Sequence, residues 1–192
     1  MILLIAVIVG FIAGLLRAFI YHHSFTVPSL RHYWLLLVAF SPQFLAFYLP
    51  FVRRLGSNLV TAVALASSQA LLILFGWKNR MYSGFWLLTG GLLCNFLVIV
   101  SNGGLMPVSP ATLYRLLPKR SINKWSIGER IGNTKNRLLQ EEETRFAMLS
   151  DRLTVPRWTG YAIAYSIGDI FIALGAFWFL WQAGGKRTLD GK

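Results

Sequence analysis

Five long apolar stretches constrain this chain more than any other feature: residues 2–20, 33–52, 59–77, 84–101 and 158–182. Each has roughly the 20 residues that a helix needs to cross a bilayer core at about 1.5 Å per residue. Segments of this kind can satisfy their backbone groups in lipid only as helices. The expected fold is therefore all-α, a polytopic transmembrane bundle of about five spans with a long amphipathic cytoplasmic connection. Only 14% of residues are charged and 55% are hydrophobic, well outside the balance of a soluble domain. The first stretch follows Met1 directly, with no basic region before it and no small-residue cleavage site after it. It reads as a retained span rather than a secretory signal. The expected divisions are a four-span region at 1–101, an interfacial loop at 102–157, and a fifth span with a basic tail at 158–192.

Charge supplies the expected orientation. If the spans alternate, one side carries Arg53, Arg54 and ten further basic residues from Arg115 to Arg157, and the other carries seven. Twelve against seven favours the N-terminus and the long loop in the cytoplasm. The excess of 19 basic over 7 acidic residues suits an anionic lipid surface. No nucleic-acid-binding motif accompanies it, so nucleic acid is not an expected partner. Cys94 stands alone and can form no internal disulfide. His22, His23 and His32 cluster around the first loop without a carboxylate, so no metal site is expected.

Small residues recur every four positions in the first span, at Ala6, Gly10, Gly14 and Ala18. Such a stripe lets another helix approach closely. The third span repeats it with Ala62, Ala66 and Ala70, and the fifth has Ala164, Gly168 and Gly175. The simplest reading is packing within the chain, with a homodimer or partner-subunit contact as the alternative.

Polar residues inside the spans each carry a desolvation cost and need partners. Measured from the cytoplasmic span ends, Gln43 lies roughly 13 Å deep, Gln69 roughly 15 Å and Asp169 roughly 16 Å, which suggests one polar layer. Asp169 is the only acidic residue in any span. It reads either as a structural clasp with Gln43 or Gln69, or as a proton-carrying or ligand-binding group. Ser166 shares its helix face three residues earlier, with Tyr161 and Tyr165 nearby. Arg17 lies a little beyond this layer and is expected to snorkel outward rather than reach Asp169. Asn95 and Asn102 share a helix face, but on the same ruler their convergence with Asp169 looks poor. No catalytic triad, paired carboxylates or phosphate-cradling loop is present, so an enzyme is not the favoured reading.

In the long connection, Ser109 followed by Pro110 reads as a helix start, with "ATLYRLL" as a short interfacial helix stopped by Pro118. Residues 133–153, "NTKNRLLQEEETRFAMLSDRL", read as an amphipathic helix capping the bundle. Ahead of both, Asn102, Gly103, Gly104, Met106 and Pro107 read as a tight exit turn in which the glycines take positive φ.

"NGGLMPVS" at 102–109 and "SIGD" at 166–169 resemble a bacterial family of small polytopic membrane proteins known only as a domain of unknown function. The resemblance implies this architecture in a bacterial inner membrane and brings no substrate or catalytic residue. The favoured function is a non-catalytic accessory or scaffold subunit of a larger membrane complex, respiratory or photosynthetic, with membrane lipids and other subunits as partners. The alternative is a small transporter or a binder of a lipophilic ligand (lipid, quinone or pigment) using the Asp169 layer. A lipid-acting intramembrane enzyme is third. No cofactor is expected beyond such a bound lipid, quinone or pigment.

Overall fold

The computed structural model describes residues 2–48, 58–117 and 125–185. Its helices are α1 (Ile2–Ile20), α2 (Trp34–Tyr48), α3 (Asn58–Lys78), α4 (Ser83–Ser101), the short α5 (Pro110–Leu116) and α6 (Ile167–Ala183). Four short strands lie between α4 and α6: β1 (Met106–Val108), β2 (Asn136–Leu138), β3 (Leu153–Thr154) and β4 (Ala164–Tyr165). The protein is mostly helical, as expected, and α1, α3 and α4 are long and apolar enough to cross a membrane. The apolar helices α2 and α6 are shorter. Residues 49–52 of the second expected span lie outside the described residues.

The helices pack in the order α1, α6, α4, α3, α2. Glycines set the two closest contacts. A Cβ on Gly84 would lie 2.5 Å from the Gly175 carbonyl oxygen, and one on Gly91 would lie 2.8 Å from the Ile172 nitrogen and against Gly168. Gly84 and Gly91 are seven residues apart, as are Gly168 and Gly175. At each of these glycines the two backbones approach closely, and α4 and α6 run antiparallel. On the other side of α6, Gly10 meets Phe177 and Gly14 meets Leu180, so the stripe on α1 is used within the chain. Gly10, Gly14 and Ala18 are buried there. These contacts advance together along both chains, which makes α1 parallel to α6.

The fifth expected span is shorter than its apolar stretch. Residues 158–166 form a 3-10 turn (Arg157–Thr159) and strand β4, and α6 begins only at Ile167. Pairing decides this: Leu153 faces Tyr165 and Thr154 faces Ala164, and Gly160 between them takes φ +75°. Ala164 is thus a strand residue rather than part of a helical stripe.

The expected amphipathic helix over 133–153 is absent. Its beginning folds back through Gly132 (φ +53°), Ile131 N–H bonds the Asn136 carbonyl, and Leu138 N–H bonds that of Glu129. β2 then pairs in parallel with β1, Met106 facing Asn136 and Val108 facing Leu138. Glu141, Glu142 and Glu143 stay exposed in a turn. Helix-forming composition loses here because strand pairing buries Leu138 against Val108, Leu113 and Ile131, forming the small core of a cap at one end of the bundle. Ser109 starts α5 as expected, its hydroxyl accepting the Thr112 N–H at 3.2 Å, and the helix ends at Leu116. Pro118, the expected stop, lies outside the described residues.

Candidate functional site

The exit turn after α4 has the expected form, with φ +77° at Gly103 and +82° at Gly104. Met106 and Pro107 continue into β1, fully buried. Asn102 does more than close the turn. Its Nδ2 donates to the Val98 carbonyl (2.8 Å) and to the Arg145 carbonyl (2.9 Å), and its Oδ1 accepts the Arg145 N–H (3.0 Å). One side chain thereby pins both backbone groups of a residue 43 positions away. Asn79, fully buried, repeats the device at the other end of the bundle. It bonds the Phe75 carbonyl (2.9 Å) and both the carbonyl (3.0 Å) and N–H (2.8 Å) of Arg31.

Asp169 sits at the start of α6, not at mid-span. The depth ruler assumed a helix from residue 158; with the first helical residue at Ile167, Asp169 occupies its third position. It forms a capping box there: Ser166 N–H donates to Asp169 Oδ2 and Asp169 N–H to Ser166 Oγ, both at 3.0 Å. Asn95 of α4 closes the ring. Its Nδ2 donates to Asp169 Oδ1 and its Oδ1 accepts the Ser166 hydroxyl, both at 2.8 Å. The convergence of Asn95 with Asp169 that looked poor is therefore close, while Asn102 stays apart in its own clamp.

The other members of the expected layer are elsewhere. Gln43 Nε2 donates to Ser68 Oγ at 2.7 Å, joining α2 to α3, and Gln69 Oε1 is buried without a hydrogen-bond partner among the described residues. Arg17 turns away from Asp169 toward the end of α6, donating to the Trp181 carbonyl and lying 5.0 Å from its ring centroid. The three histidines do not converge with acidic residues, and among the described residues no group of His, Cys, Asp or Glu is placed to hold a metal.

A second polar cluster lies in the cap, and neither of its charged members stood out in the sequence. Asp151 is 1% exposed; its Oδ2 accepts from Asn136 Nδ2 (2.9 Å) and from Lys135 Nζ (3.3 Å), while its buried Oδ1 has no hydrogen-bond partner among the described residues. Burial pushes the Asp151 carboxyl above the ordinary carboxylate range, against the pull of Lys135 and Asn136 and with a further push from Asp169. Burial also opposes the charge on Lys135, but Asp151 and then Asp169 outweigh it and hold the amine above the ordinary lysine range.

Lys135 also lines a groove of about 430 Å³ between α2, α3 and the cap. Phe40, Phe44, Phe47 and Leu65 supply its apolar walls, and Gln43 and Lys135 are among its polar groups. Its volume lies in the range of small-ligand sites, about 300–1,000 Å³. Arg130 borders this region. It lies 5.4 Å from the Phe47 ring centroid and donates to Thr61 Oγ1 (2.7 Å) and to the Thr134 carbonyl (2.6 Å). Burial draws its pKa below the ordinary arginine value, though a guanidinium of this kind stays charged.

No curated protein and no solved structure matches the chain. Residues 28–181, which contain the exit turn, the cap and both polar clusters, match the family of unknown function DUF5317, and the chain belongs to that family.

Proposed function

We propose that this protein is a non-catalytic membrane protein that binds an amphiphile, taken sideways from the bilayer into the groove between α2, α3 and the cap. The observation that carries the reading is the groove itself: aromatic walls for an apolar tail and the Lys135 amine for a polar or anionic head. The binding reading of the sequence is kept, but its polar group moves from Asp169 to Lys135. Asp169 has both carboxylate oxygens committed to Asn95 and Ser166, which suits a clasp.

The scaffold-subunit reading has less support, because the small-residue stripes that favoured it pack against α6 and α4 of the same chain. The distribution of basic residues supports an orientation with the cap on the cytoplasmic side. The test is to purify the full chain in mild detergent, extract it and identify co-purifying amphiphiles by mass spectrometry. Phe44→Trp, which fills the groove, and Lys135→Gln should each lower the recovered amount several-fold. Equal recovery from all three proteins overturns the proposal.

A further inference from the structure

Arg130 and Arg137 face each other across an antiparallel bridge. The bonds on either side of them, Ile131 N–H to Asn136 and Leu138 N–H to Glu129, make theirs the non-hydrogen-bonded pair. At such positions the Cα atoms approach to about 4.5 Å and both side chains leave on one face of the ribbon. Like charges placed directly opposite each other are destabilising. Among the described residues the ion pairs are Lys135 with Asp151 and Arg152 with Glu141, so neither arginine of this pair has a carboxylate.

Their surroundings make the arrangement a receptacle. Arg137 crosses the exit turn: a Cβ on Gly103 would lie 2.8 Å from Arg137 Nη1, so the glycine leaves the guanidinium its place. Arg137 Nε is buried and has no acceptor among the described residues. A buried charged donor without an acceptor is costly, and a planar guanidinium fork matches the oxygens of a phosphate. Arg130 reaches Thr61 on α3, whose neighbour Ala62 packs against Gly104 of the same turn. Asn102 holds the backbone of a third arginine, Arg145, at that turn. The turn closes α4, a helix long enough to cross the bilayer, which puts the arginines at the depth of lipid headgroups.

We propose that Arg130 and Arg137, over the Gly103 turn, form a phosphate oxyanion site in which the Nη groups of the paired guanidiniums supply the donors. This goes beyond the groove, whose cation is Lys135. Two sources share the chemistry, a phospholipid headgroup and free phosphate. Thermal unfolding of the full chain in maltoside micelles, which hold no phosphate, separates them. One arm compares the micelles alone with micelles containing phosphatidylglycerol, and the other adds inorganic phosphate to the micelles alone.

The wild type should gain several degrees in at least one arm, and the responding arm names the source. In the micelles alone, Arg137→Gln should unfold no earlier than the wild type, because the like-charge pair is gone. It should lose most of the anion response. Should Arg137→Gln fail to fold, Arg137→Lys keeps the charge but not the fork, and should lose at least half of the response. No wild-type response in either arm, or a full response in the folded variant, overturns the proposal.

Discussion

Replacing Asp169 distinguishes a clasp from a working carboxylate, and the ring around it allows the cost to be worked out. Asp169 accepts two hydrogen bonds, from Asn95 Nδ2 and from Ser166 N–H. Asparagine offers one acceptor and one donor at the same place. If its oxygen keeps the Ser166 N–H, its amide faces Asn95, which can turn over and present its own oxygen. The Asn95 amide then meets Ser166 Oγ, which still has a lone pair beside the one used by the residue 169 N–H. The Ser166 hydroxyl alone loses its acceptor, Asn95 Oδ1, at about 1–3 kcal/mol, and charge assistance is lost from two bonds at about 1 kcal/mol each. Relief of carboxylate desolvation offsets part of this. Alanine leaves the buried Asn95 amide and the Ser166 N–H without acceptors, at about 1–3 kcal/mol each. Asp169→Asn should therefore cost about 1–4 kcal/mol and Asp169→Ala about 2–6. Denaturant titration of the purified protein in mixed micelles measures both. An Asp169→Ala protein as stable as the wild type would refute the ring as a structural clasp, and a well-folded Asp169→Asn protein that no longer binds its amphiphile would refute it as purely structural.

Gly91→Ala places a methyl 2.8 Å from the Ile172 nitrogen and should cost about 1–3 kcal/mol despite the better helix propensity of alanine, read in the same titration. Asn102→Ala releases the backbone of Arg145, so trypsin should cut after Arg145 at least several-fold faster than in the wild type, with α4 still helical by circular dichroism. The Asp151 carboxyl is raised, so its folded pKa exceeds its unfolded value, and its protonation stabilises the fold as pH falls through the folded pKa toward about 3.8. The wild type should thus gain on Asp151→Asn as pH drops from 7 to 4.5. A melting-temperature difference that stays flat or moves the other way contradicts the burial of Asp151.

The parts of the fold that were legible in sequence are those set by local chemistry. Apolar length marked the helices, Ser109–Pro110 marked the start of α5, and Gly103–Gly104 marked a turn that only positive φ permits. The small-residue stripe on α1 signalled a close contact but not its partner, since the spacing is the same whichever helix it meets. Gly84 and Gly91 carry the matching spacing on α4 and could have been found by looking for seven-residue glycine pairs. The cap was hidden because its strands are two or three residues long and depend on partners 10 to 30 residues distant, while "RLLQEEETRFAML" has the composition of a helix. Asp169 was misplaced because hydropathy does not register that Ser166 and Asp169 form a capping box, although the Ser-x-x-Asp spacing is a helix-start signal. Lys135 and Asp151 look like surface charges, and only the β1–β2 pairing brings them together.

The central claim is that an amphiphile occupies the groove between α2, α3 and the cap. An experimental density map of the full chain, purified in lipid nanodiscs, tests it most directly. The account predicts elongated non-protein density running along Phe40, Phe44 and Leu65, with its head within hydrogen-bond distance of Lys135 Nζ. A groove filled by the chain's own residues, or open to water with Lys135 bonded only to Asp151, contradicts it.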